Sequence, residues 1–71
     1  MAESFGMFAE SNKKYVQIHA VISAIGVRRR KAFATHNYKR LHACAMLHSW
    51  AMKEYNKIIR NLRTEWDKLH A

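Results

Sequence analysis

Residues 38–69 read YKRLHACAMLHSWAMKEYNKIIRNLRTEWDKL, and this stretch decides the fold. Tyr38, Leu41, Ala45, His48, Met52, Tyr55, Ile59, Leu62, Trp66 and Leu69 follow one another at alternating spacings of three and four. That alternation keeps one side of an α-helix apolar and forms a heptad seam. It predicts a long amphipathic helix ending at about residue 70. Traced backwards, the seam meets Ala34, Lys31 and Val27. The helix therefore starts either near residue 28 without interruption, which is the preferred reading, or at 37 after a break, with Thr35 or Asn37 as N-cap.

Working outward, Phe8, Tyr15 and Ile22 recur every seven residues with Ile18 and Ile25 between them. This predicts a first helix over about 5–25, stopped at Gly26, the residue type that most readily takes the left-handed conformation at a helix end. A helix of that length covers roughly 30 Å, whereas the seam runs on the order of 50 Å. Part of the seam is therefore expected to lie against another chain. Between Leu41 and Met52 the apolar positions spread beyond the seam to Ala43, Cys44, Met46, Leu47, Trp50 and Ala51. A helix apolar all round is buried all round, so Leu47 and Trp50 call for a second cover. Trp66, on the seam beyond the reach of the first helix, joins them as an expected partner contact.

The fold class read from the chain is thus all-α: a helical hairpin in one domain, 1–71, completed by partner chains. Its 71 residues hold one cysteine, Cys44, which excludes an intrachain disulfide and favours a reducing compartment. A domain this small gains little net stability from its own core, so partners or a metal are the remaining supports. The longest mostly apolar stretch, 15–27, contains Gln17 and His19 and is too short and too polar to span a bilayer. The first residues lack the basic and apolar segments of a secretory leader, and Glu3 and Glu10 argue against a mitochondrial presequence. The expected location is intracellular, with the mitochondrial matrix side favoured over nucleus or cytoplasm.

The net charge is +8, and between Ser11 and Lys53 there are nine Lys or Arg and no carboxylate. A one-sign field of this kind calls for an anionic partner: protein, lipid or nucleic acid. Its centre is the basic corner Arg28, Arg29, Arg30, Lys31, Lys39 and Arg40, interleaved with Phe33, His36 and Tyr38. Cations and rings in alternation suit phosphate neutralisation and base stacking. An acidic protein or lipid face remains the better expectation, because rings on the seam are buried before they can stack. The pair Lys13 and Lys14, followed by 28–31, has the spacing of a bipartite import signal, but its spacer is a helix and not an extended segment.

Cys44 and His48 stand one helical turn apart, a spacing that suits two zinc ligands, with His19 as a conceivable third. No fourth ligand is placed, so no metal or other cofactor is expected. Catalysis has no support either: the carboxylates lie near the ends, and no Gly-rich phosphate loop, nucleophile elbow or paired acid and base is present. The expected function is a non-catalytic accessory or structural subunit of a large multiprotein assembly, such as a respiratory complex, ATP synthase or ribosome. It would be bound through the long helix and the basic corner, with Arg28, Arg29, Arg30, Lys31, Lys39, Arg40, Leu47, Trp50 and Trp66 as contacts. The alternative is a small basic nucleic-acid-binding protein, dimeric through the seam.

Overall fold

A computed structural model describes residues 4–71; Glu3 and the residues before it, used in reading the leader, lie outside them. The described residues form three helices and no strand: α1 Phe5–Glu10, α2 Lys13–Ala34 and α3 Tyr38–Leu69. α2 and α3 make an antiparallel hairpin, and α1 lies across the open end of α3. The body measures 50 × 22 × 14 Å. The all-helical hairpin is the architecture read from the sequence; its boundaries differ in three places.

The first difference is the break between α1 and α2. Ser11 donates its hydroxyl to the Phe8 carbonyl at 2.6 Å, and the Asn12 side chain accepts from the Tyr15 N–H at 3.1 Å. Short polar side chains compete in this way with the helix's own backbone bonds, so the chain stops and restarts there. Gly26 gives the second difference, because α2 runs straight through it. The residues that follow, Arg28, Arg29, Arg30, Lys31, Ala32 and Ala34, are good helix formers, and Ile25 and Ala32, both buried, stand on the packed side of α2 on either side of the glycine.

The third difference is where the long helix starts: α3 does not run on from residue 28. α2 ends at Thr35, with His36 in the left-handed region at φ 55°. Asn37 N–H bonds back to the Ala32 carbonyl at 2.9 Å and His36 N–H to Phe33 at 3.2 Å, the paired closure of a helix end that usually employs glycine. The Asn37 side chain then caps α3 by accepting from the Arg40 N–H at 3.1 Å. Restart at 37, with Asn37 as N-cap, is what the turn adopts.

Packing also shifts the register of the seam. Ile18 and Ile25 of α2 pack with Cys44 and Ala51 of α3, with Ile22, Tyr55 and Ile58 against them. The inward positions of α3 are therefore 41, 44, 48, 51, 55, 58 and 62, again at spacings of three and four. Half the expected seam is kept, but Cys44, Ala51 and Ile58 replace Ala45, Met52 and Ile59. Ala45 is exposed, and Met52 and Ile59, half-buried like Ile58, lie outside the packed cluster to which Ile58 belongs. Because the apolar band is wide, α3 has two usable seams, and α2 selects the one whose small residues receive its isoleucines.

Beyond the reach of α2, α1 supplies the cover. Phe5 meets Trp66 edge-on at 5.9 Å, Phe8 lies 5.3 Å from it, and the Arg63 guanidinium sits 4.3 Å over the Phe5 ring. The length argument for a second chain thus fails at this end. What stays uncovered is the outer side of α3 near Leu47 and Trp50. The core itself is thin: among the described residues its buried members are Ala9, Ile18, Ile25, Ala32, Cys44, Ala51 and Leu62, and none of their large side chains is fully enclosed.

Candidate partner-binding surface

The basic corner is the closed end of the hairpin. Arg28, Arg29, Arg30 and Lys31 occupy the last turns of α2, while Lys39 and Arg40 open α3, and all six are exposed. At 100° per residue, consecutive side chains point in different directions, so the cluster divides over two flanks. On one flank Arg28, Lys31 and Arg40 rim a hollow floored by Ala43, Cys44 and Leu47. On the other, Arg29 and Arg30 stand around a hollow with Gly26, Phe33 and Leu41. Among the described residues the salt bridge is Lys57 to Glu54 at 3.7 Å, far from this end. Within the chain, a long bond from Arg30 Nε to the Gly26 carbonyl, 3.5 Å, engages the corner's cations.

Down the first flank from Arg40, Ala43 and Leu47 comes Trp50, which borders a further hollow with Val21, Gln17 and Ile18 of α2. Leu47 is 48% exposed, Trp50 53% and neighbouring Met46 63%. Expected contacts Leu47 and Trp50 thus stand open, Leu47 in the hollow rimmed by the corner's cations and Trp50 a turn further along α3. Trp66 does not: its ring packs against Phe5 and Phe8 and stacks on His70 at 3.8 Å, which engages it in this chain's own packing. Tyr38, placed on the buried seam by its spacing, is 73% exposed, as is Phe33. The sequence shows these two rings alternating with the cations; the expectation that seam rings are buried does not hold for Tyr38. The register 44, 51, 58 would have revealed Tyr38, since that seam runs through 41 and leaves 38 outside.

His19 lies against Tyr15 at 5.5 Å and Tyr55 at 6.3 Å, well down the hairpin from Cys44, which is buried among isoleucines. The third zinc ligand is therefore not brought to the other two. A preparation made without chelator is expected to carry no stoichiometric zinc by elemental analysis; one zinc per chain would reverse that expectation. In the same aromatic cluster the Tyr15 phenol is held above its usual range, first by burial and then by Tyr55 beside it. No protein-family model matches the chain, and no curated protein or solved structure proves similar to it.

Proposed function

We propose that the chain is a non-catalytic accessory subunit of a larger multiprotein assembly, seated through the Leu47 and Trp50 flank with the basic corner on an acidic surface. One observation carries this reading: Leu47, open to water, lines the hollow rimmed by Arg28, Lys31 and Arg40, for which no salt bridge forms among the described residues, and Trp50 and Met46 are open on the same helix. Two further features support it. A core that fully encloses no large side chain leaves little stability to spare, and a bound partner adds stability by mass action. Respiratory complexes, ATP synthase and ribosomes hold small basic helical subunits of this kind, an analogy of class alone. The mitochondrial matrix side is the favoured place, on the lone thiol and the charge, ahead of nucleus or cytoplasm.

The test is the size of the native species. In its source cells the tagged chain is expected to migrate in a large complex, and the double change Leu47→Asp with Trp50→Asp is expected to release it as free chain. Both sites are on the outside, so helix content and thermal midpoint should stay close to the parent's. A parent chain that migrates alone, and that melts sharply as a monomer at micromolar concentration, would overturn the subunit reading.

A further inference from the structure

We infer that the flank of the hairpin end formed by Arg29, Arg30, Phe33, Tyr38 and Leu41 binds single-stranded nucleic acid, with phosphates on the guanidiniums and unpaired bases on the two rings. This names the acidic surface left open by the accessory-subunit reading, and it needs neither Leu47 nor Trp50.

The first support is exposure. Phe33 and Tyr38 are each 73% exposed, the most open of the large apolar side chains, although each stands in a helix with a core side available to it. Exposed aromatic faces are what base stacking requires. The second is placement. Phe33 shares its hollow with Arg29, Arg30 and Leu41, and Tyr38 stands three residues before Leu41, on the same side of α3. Two rings and two guanidiniums therefore occupy one flank, and a flexible strand can put a base on each ring while its backbone passes the cations. A duplex cannot, because its bases are already stacked and paired.

The third support separates nucleic acid from the other anionic surfaces. The apex is Thr35, His36 and Asn37, polar and exposed, so a bilayer met end-on would find no apolar side chain at the leading point. A helix that lies flat on a bilayer buries a whole apolar face, and the flank here offers two rings and one leucine among polar and charged neighbours. An acidic amphipathic helix suits the opposite flank better, where Leu47 and Ala43 floor the hollow under Arg28, Lys31 and Arg40. The Phe33 flank sets two open rings beside two guanidiniums, whereas the other flank offers the single ring of Trp50.

The experiment uses the full chain and a labelled, mixed-sequence RNA strand of about 15 nucleotides, within the site sizes of known single-strand binders, with the matching duplex and phosphatidylserine vesicles as competitors. At about 0.15 M salt the strand should bind at least about tenfold more tightly than the duplex, as stacking on free bases implies. Phe33→Ala and Tyr38→Ala should each weaken it by about five- to hundredfold, the effect of losing one stacked base. Phe33→Trp and Tyr38→Trp should retain binding. Arg29→Gln and Arg30→Gln should each flatten the slope of log affinity against log salt by about 0.7. Ring variants that bind like the parent, a duplex bound as tightly as the strand, or vesicles preferred over RNA would each overturn the proposal. The two readings fail separately. A chain that migrates free in cells yet shows ring-dependent strand binding removes the subunit reading only, and assembly without ring-dependent binding removes this one.

Discussion

Ala51→Glu is expected to leave the chain unfolded at 25 °C, whereas Ala45→Glu is expected to leave it folded. Ala51 is 0% exposed and packs between Ile18 and Ile25 of α2 in a core with no buried polar or charged side chain. A carboxylate placed there has no partner and must either stay charged in an apolar site or take up a proton, at a cost of several kcal/mol. That rivals the whole stability of a domain of this size, about 3–5 kcal/mol from its core. Ala45 is exposed, so the same substitution there costs only the small difference in helix propensity, below about 0.5 kcal/mol. Circular dichroism with thermal melting separates the two. Equal losses would restore the seam through Ala45, Met52 and Ile59 and move Ile58 out of the core.

The contrast between those two alanines marks how far the fold was legible in the chain. The 3,4 spacing from Leu41 to Leu62 identifies a long helix with one buried side, and that is what forms. It does not choose between Ala45 and Cys44, or between Ile59 and Ile58, since both sets are apolar and both keep the spacing. The choice belongs to α2, whose isoleucines fit over the smaller residues, and is a property of two helices together. Gly26 misled for a related reason: its preference for a helix end is local, and the helix-forming run after it, with Ala32 packed beyond, outweighs that preference. The stop at His36 has no sequence signature, because histidine is a rare occupant of the left-handed position and Asn37 announces only the start of α3. Of the candidate site, the cations and the Leu47 and Trp50 flank were legible from composition. The alternation of Phe33 and Tyr38 with those cations was legible too, but spacing placed Tyr38 inside, and Trp66 was assigned outward because the break at Ser11 and Asn12 was not foreseen.

Trp66→Ala is expected to cost about 2–3 kcal/mol and to free α1 from the rest of the molecule. Truncation of a fully buried Trp typically costs about 3–5 kcal/mol, and Trp66 is half-buried, so the lower part of the scale applies. The loss is concentrated on α1, six residues long, which is too short to persist without its contacts. Its hold on α3 is the group of Phe5, Phe8, Trp66 and the Arg63 guanidinium. Limited trypsin digestion should then cut faster at Lys13 and Lys14 in the variant, and chemical denaturation should show the lower midpoint. Trp66→Phe, which retains a ring against Phe8, should lose less than half as much. Parental stability in Trp66→Ala, with loss of assembly in cells, would return Trp66 to the role of a partner contact.

The clasp of α1 on α3 also fixes the order in which the molecule can be made. Phe5 and Phe8 are synthesised before α2 and most of α3, and Trp66, the ring they close upon, only after them. α1 has no stable place until almost the whole of α3 has been translated, and contacts so distant in sequence form late because they must first overcome the entropy of closing a long loop. Until Cys44, Ala51 and Ile58 have followed it, the apolar side of α2 is in water without its cover, next to a cluster of cations that repel one another and attract whatever anionic surface is near. A nascent chain of this design is open to capture before it is complete, and what it meets during those seconds can decide where it resides.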